Sequence, residues 1–265
     1  MHINIETEAL GDSNNPAIFM VPGWAMPKEV MKPLATRLSQ RFYVVMANLP
    51  GISLDEQRIK QRSIEPNYDI DALSERLIAV APKDCWWVGW SLGGMVSTYV
   101  AARRSSCVKG LITLSASPSF LQREDWPHGM ASMLFDDFAQ LTNESPEQGM
   151  KRFVMLQAKG AKDERSLIKQ LQAKFPHKLY KTALVGGLRL LRSLDVRREF
   201  SLLDLPNLHI LGQNDDLVPP TFLTTQTETN PFQEVIVMPS CAHQPFVEEE
   251  DVCVHHIETF IDANT

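Results

Sequence analysis

The segment Gly89-Trp90-Ser91-Leu92-Gly93-Gly94 places a serine between glycines two residues away on either side. A serine hydroxyl becomes a nucleophile only when a base removes its proton and N–H donors receive the charge that develops on the attacked carbonyl oxygen. The surroundings suit both demands. An apolar, strand-like run covers 86–89, and a helical run opens at Leu92 with small residues. The nucleophile would stand on a very tight strand-to-helix turn, where a bulky side chain at 89 or 93 would clash. The helix amino terminus offers its N–H groups to negative charge, that of Leu92 first. An ordinary glycine-rich turn would show the same letters; the strand before and the helix after favour the catalytic reading.

The base is sought among seven histidines. His2 is terminal, His209 lies inside an apolar strand-like run, His128 and His177 fall in a helical middle region, and His255 and His256 lie in the last helix. A lone histidine is usually structural. His243 differs because it sits in a loop, 239–245, that follows the predicted strand 235–238, where an imidazole can turn toward the strand ends. A base of this kind needs an orienting carboxylate. In a strand–serine–helix arrangement the expected chain order is Ser, then Asp or Glu, then His. The strand 208–211 is followed by Gly212-Gln213-Asn214-Asp215-Asp216, so both Asp215 and Asp216 are candidates, against the plainer reading of solvated turn residues. A second oxyanion donor is expected in the turn Pro22-Gly23-Trp24, as the backbone N–H of Trp24.

These residues need a scaffold, and the chain is long enough to bury a large core without disulfides or metal. It has 265 residues, 44% hydrophobic and 22% charged, with 26 Lys and Arg against 32 Asp and Glu and a net charge of −6. That balance argues against a surface that grips nucleic acid throughout. No apolar run reaches the 18 or so residues of a membrane span. The first residues carry early acids and no basic run, so no secretory signal is expected. Four widely spaced cysteines, Cys85, Cys107, Cys241 and Cys253, fit reduced thiols in a cytoplasmic protein, with packing the favoured role for Cys85 and Cys241. No metal or organic cofactor is called for by the serine chemistry.

Strand and helix signals alternate in the first part: strands at 17–21, 42–46, 86–89 and 111–114, helices at 31–39, 69–80 and 92–103. This rhythm predicts an α/β fold with a mostly parallel central sheet and helices on both faces. From 120 to 198 no strand is evident, and helical patterns dominate at 133–141, 149–156 and 166–173. Strand signals return at 208–211 and 235–238, with a final helix near 252–261. The expected organisation is an α/β core over 1–119, a helical lid insertion over 120–198, and the rest of the core over 199–265. In such sheets the site lies at the carboxyl ends of the strands, where an insertion can act as a lid.

Taken together, these motifs resemble the α/β-hydrolase superfamily and, within it, the pimeloyl-[acyl-carrier protein] methyl ester esterases of biotin synthesis. The similarity rests on Gly23-Trp24, Leu49-Pro50-Gly51, the 87–94 elbow, Ala116-Ser117-Pro118, Asp125-Trp126-Pro127, Arg152-Phe153, Leu156-Gln157, Gly186-Gly187-Leu188, Leu217-Val218-Pro219, Ala242-His243 and Pro245-Phe246. It implies a serine carboxylesterase that frees methanol from a carrier-bound pimeloyl methyl ester. It selects Asp215, three residues past Gly212, as the acid, with Asp216 as fallback. It also places Trp24, Trp90 and Phe153 at the substrate pocket, core packing being the alternative for the last two. In the resembled family, basic lid residues contact the carrier; Arg152 and Arg165 match two such positions, and Lys169 a third as lysine. Pro22 stands where many relatives have histidine, Asn48 where aspartate is common, and 52–54 replaces a glycine-rich continuation.

The charge distribution agrees with a carrier partner. Residues 151–198 hold thirteen Lys and Arg and only three acids, a net charge of +10, leaving −16 on the other 217. A basic lid would attract an acidic acyl carrier protein. No nucleic-acid motif and no membrane partner is expected, and the chain is expected to act as a monomer. The competing expectations keep the triad and change the substrate, to that of a general short-chain carboxylesterase, a thioesterase or a C–C bond hydrolase, or keep the shell as a receptor with little turnover.

Overall fold

A computed structural model describes residues 5–55, 68–103, 105–176, 180–225 and 230–265. His2, His177 and Lys178 lie outside the described residues. Seven strands form one sheet: β1 (Thr7–Leu10), β2 (Ala17–Val21), β3 (Tyr43–Ala47), β4 (Cys85–Trp90), β5 (Val108–Leu114), β6 (Asn207–Gly212) and β7 (Gln233–Met238), in the spatial order β1-β3-β2-β4-β5-β6-β7. All neighbours pair in parallel except β1, which runs antiparallel along β3. β4 lies in the middle with every residue buried, as a strand covered on both faces must be. β1 is the strand that the sequence pattern does not announce: its four residues, two of them polar, alternate between exposed and half-buried at the sheet edge.

The helices are α1 (Lys32–Leu38), α2 (Ile70–Ile78), α3 (Leu92–Arg103), α4 (Ser132–Glu144), α5 (Pro146–Ala158), α6 (Glu164–Gln172), α7 (Lys181–Ser193), α8 (Arg197–Ser201), α9 (Pro245–Glu248) and α10 (Glu250–Ala263). α2 starts at Asp69, whose carboxylate accepts the Ala72 N–H at 3.0 Å, an ordinary N-cap. α3 is buried from Leu92 to Ala101, so small residues, not an apolar stripe, let it press onto the sheet. The segment between β5 and β6 is helical, with only isolated bridges beside the helices among its described residues. Its two ends meet. Ser119 bridges Asp195, the Val196 N–H donates to the Pro118 carbonyl at 2.8 Å, and Arg197 pairs with Asp125 and Asp195. β5 and β6 can therefore stay hydrogen-bonded neighbours while the chain between them leaves the sheet.

Candidate active site

Parallel register brings the separate motifs to one edge. Val21 lies opposite Gly89, Gly89 opposite Thr113, Leu114 opposite Ile210, and Gly212 opposite Met238. The turns that follow β2, β4, β6 and β7 therefore emerge together, and they carry Trp24, Ser91, Asp215 and His243.

Ser91 occupies the turn with φ +53°, a left-handed conformation that costs a non-glycine residue about 1 kcal/mol or more. The neighbouring structure holds it there. The Ser91 N–H donates to the Leu114 carbonyl at 3.0 Å, and the Met95 N–H donates to the Ser91 carbonyl at 3.1 Å. Close packing explains the two glycines. A Cβ on Gly89 would press on the backbone of Gly93 and Gly94, and one on Gly93 would collide with the carbonyl oxygens of Val21 and Pro22.

The turn after β2 thus rests on the elbow: a Cβ built on Gly23 would lie 3.1 Å from Ser91 Cβ. Ala25 also adopts a left-handed conformation, φ +59°. The backbone N–H groups of Trp24 and Leu92 have no acceptor among the described residues. Two free donors beside a serine are what an oxyanion requires. Asn48, which departs from the resembled pattern, braces this turn from β3: its Oδ1 accepts the Lys28 N–H at 2.6 Å.

His243 Nδ1 and Asp215 Oδ2 are 2.8 Å apart, and both side chains are 1% exposed. Asp215 Oδ1 accepts the N–H groups of Leu217 and Val218, each at 2.9 Å. A carboxylate only accepts, so Nδ1 carries the hydrogen and Nε2 keeps the lone pair that a base needs. Nε2 is buried and has no partner among the described residues. Asp216 points elsewhere: it is 57% exposed and bound to Lys159 Nζ at 2.7 Å. The fallback acid is set aside on that ground. His209 is also accounted for without chemistry. Its ring nitrogens meet Thr113 Oγ1 at 2.7 Å and Asn207 Oδ1 at 2.9 Å, and burial lowers its pKa to about 3, which keeps it neutral. Burial pushes the Cys241 thiol up to about 12, which leaves it inert beside the base.

Trp90 has a different place from the pocket wall expected of it. It is fully buried, its indole N–H donates to the His243 carbonyl at 3.0 Å, and its ring meets Phe246 edge-on at 5.3 Å. It braces the histidine loop from beneath. Trp24 and Phe153 lie together, edge to face at 4.7 Å, with Phe138 5.5 Å from Trp24. The Trp24 indole N–H reaches the Leu184 carbonyl of α7 at 2.9 Å. A Cβ on Gly187 would collide with the Trp24 ring, and one on Gly186 would press on Tyr68. The Gly186-Gly187 pair therefore lets α7 descend onto the oxyanion turn. Arg152 on α5 and Arg165 and Lys169 on α6 stand exposed, away from these contacts.

Sequence reasoning missed the residues that tie the histidine loop down. Glu248 accepts backbone N–H groups on both sides of His243, and Gln244 hydrogen-bonds Gln157 of α5, both side chains fully buried. Buried polar side chains beside a suspected base were the available signal. Among the described residues no group of His, Cys, Asp and Glu is arranged to hold a metal ion, and no helix is long and apolar enough to cross a membrane.

Comparison with known proteins agrees with this geometry. The model of the alpha/beta hydrolase family matches residues 18–255. A pimeloyl-[acyl-carrier protein] methyl ester esterase of Aeromonas hydrophila subsp. hydrophila is 30% identical over 98% of this chain and 100% of its own length. The protein of that name from Yersinia enterocolitica is 32% identical over 88% of each chain. Among solved structures, an esterase from Exiguobacterium antarcticum superposes with a TM-score of 0.81 at 18% identity, covering 97% of this chain and 95% of its own. A thermophilic esterase from Thermogutta terrifontis gives 0.81 at 16%, covering 98% and 93%. At such identities these structures speak for the fold alone. With the family model spanning the elbow, the acid turn and the histidine loop, the chain belongs to the alpha/beta hydrolase family.

Proposed function

We propose that this chain is a serine carboxylesterase that hydrolyses the methyl ester of pimeloyl-[acyl-carrier protein] and releases methanol, a step of biotin synthesis. The observation that carries the choice of substrate is the likeness, over nearly the whole of both chains, to esterases of that name. The chemistry follows from the site. Ser91 attacks the ester carbonyl while His243 Nε2 takes its proton. Asp215 holds the imidazole in the required tautomer and stabilises its charged form. The Trp24 and Leu92 N–H groups receive the oxyanion. His243 returns the proton to the leaving methanol, then activates the water that hydrolyses the acyl-enzyme. Trp24 and Phe153 form the apolar wall for the acyl chain. The reaction needs no cofactor.

The carrier docks on the helices α5 and α6. Arg152, Arg165 and Lys169 are exposed and have no ionic partner among the described residues, so their charge is available to an acidic surface. Met155, on the same helix as Arg152, is 61% exposed and offers an apolar contact beside the charge. The helices between β5 and β6 act as a lid, and the enzyme works as a monomer in the cytoplasm. The test compares two esters. Reversing charge with Arg152→Glu and Arg165→Glu lowers kcat/KM for the carrier-linked ester and spares a small free ester; equal loss on both would remove the carrier and leave a general esterase. Rescue of biotin auxotrophy in a strain lacking such an esterase, with Ser91→Ala as the negative control, tests the pathway.

A further inference from the structure

The loop 239–244 carries the base, yet it belongs to neither a strand nor a helix. Its position depends on what grips it from outside. Trp90 holds the His243 carbonyl. The Asn214 N–H donates to the Cys241 carbonyl at 3.0 Å, and the Cys241 N–H donates to the Met238 carbonyl at 3.3 Å. The N–H groups on either side of His243 converge on one side chain. The Ala242 N–H donates to Glu248 Oε1 at 2.9 Å and to Oε2 at 3.1 Å, and the Gln244 N–H donates to Oε1 at 3.4 Å. Glu248 sits at the end of α9, five residues past the histidine, and its carboxylate clasps the chain immediately before and immediately after His243. Ala242 is held through both oxygens and Gln244 through Oε1, and a carboxylate accepts such N–H groups most strongly when charged.

We propose that Glu248 is a positioning residue for the catalytic base, and that its ionised carboxylate, by clasping Ala242 and Gln244, keeps His243 seated on Asp215. This rests on the reading of Ser91, Asp215 and His243 as the hydrolytic centre. The carboxylate is half-buried. Burial pushes its pKa up, to about 7, against the Ala242 and Gln244 N–H groups, which favour the charge; Asp215 raises it and His243 lowers it. The clasp therefore changes state near neutrality. Asp215 and His243 face it from the site, and Cys241 and Glu249 lie beside it. α10, which packs on α9, brings Glu250 and Asp251, both paired with Arg37. β6, which packs on α9, contributes the neutral His209. α1 also packs on α9, and its Arg37 is engaged by Asp251 and Glu250.

The experiment measures hydrolysis of p-nitrophenyl acetate by the full-length wild type, Glu248→Gln and Glu248→Ala from pH 5 to 8.5, with melting temperatures and Ser91→Ala as control. Small displacements of a catalytic group cost up to about 100-fold in rate. At pH 8, Glu248→Gln should lose about tenfold in kcat with KM within about twofold, and Glu248→Ala should lose more. As the pH falls, the gap between wild type and Glu248→Gln should close, because a protonated carboxyl and an amide are then alike. The gap to Glu248→Ala should persist. A rate ratio between wild type and Glu248→Gln that stays constant with pH would overturn the proposal, as would an unchanged kcat in both variants. If Glu248→Gln does not fold, the wild type decides alone: its acid limb should be steeper than one protonation allows, and a single-proton limb overturns the proposal. Activity surviving in Ser91→Ala would instead remove the hydrolytic centre itself.

Discussion

On the core, several positive side chains are answered: Lys32 binds Glu8, Arg37 binds Asp251, Arg41 binds Asp262 and Arg103 binds Glu199. On α5 and α6, Arg152, Arg165 and Lys169 are exposed and form no ion pair among the described residues. The buried side of the same helices is neutral and aromatic, with Phe153 against Trp24 and Gln157 against Gln244. On the proposed reading, the first region holds the reacting groups and the second presents charge outward on the carrier's side of the lid. Stability and chemistry should depend on the first, and substrate choice on the second. The following measurements can break or sharpen that contrast.

The largest effect should come from the elbow. Ser91→Ala removes the nucleophile and should lower kcat for a small ester by about 10⁴-fold or more, while its melting temperature stays at or above that of the wild type, because alanine makes the same backbone contacts. Next is the acid. Asp215→Asn should cost about 10³- to 10⁴-fold in kcat by disturbing the histidine tautomer. Asp216→Asn, which breaks only an exposed pair with Lys159, should change kcat by less than about twofold; the reverse ranking would reassign the acid. Gly187→Val drives a side chain into Trp24 and should lower both kcat and melting temperature, which would show that lid and oxyanion turn are one packed unit.

Charge reversal on the lid should act more mildly and selectively. Arg152→Glu with Arg165→Glu should cut kcat/KM for the carrier-linked ester by about 10- to 100-fold at low salt, with the deficit shrinking as salt rises. The melting temperature should not move. The last effect is read in stability against pH. The pKa of His209 is lowered by burial to about 3, so between pH 6.5 and 3 the unfolded chain binds a proton that the native state refuses. Stability from this group is complete above pH 6.5 and is lost as the pH falls through that window, by up to about 1.4 kcal/mol per unit. His209→Gln should flatten that loss in urea titrations at pH 6.5 and 4, although it lowers stability at pH 7. Equal slopes would show that His209 is charged or open to water.

Much of this was legible in the chain itself. Gly89 and Gly93 announce a tight turn around Ser91 because a side chain at either position would meet backbone, and the apolar runs at 17–21, 86–89 and 208–211 announce buried parallel strands. The order Ser91, Asp215, His243 follows from the positions of those runs. The +10 charge of 151–198 is plain arithmetic. β1 was not legible, since a four-residue edge strand with a solvated face has neither an apolar run nor a clear period. Nor was the task of Trp90, because composition and position alone suit a pocket wall as well as a brace.

The sequence by itself determined the kind of fold, the tight serine turn at 89–93 and the asymmetry of charge, because these rest on local sterics, on hydrophobic period and on counting. Only the tertiary structure decided that Asp215 lies buried against His243, that Trp90 turns its N–H to the histidine loop, and that Glu248 clasps that loop from α9. Asp215 and Asp216 are adjacent in the chain, yet one is buried on the imidazole and the other exposed on Lys159. The resemblance favours Asp215 by its place three residues past Gly212, but the contact itself is made where β6 and β7 emerge side by side, by hydrogen bonds between residues far apart in the chain.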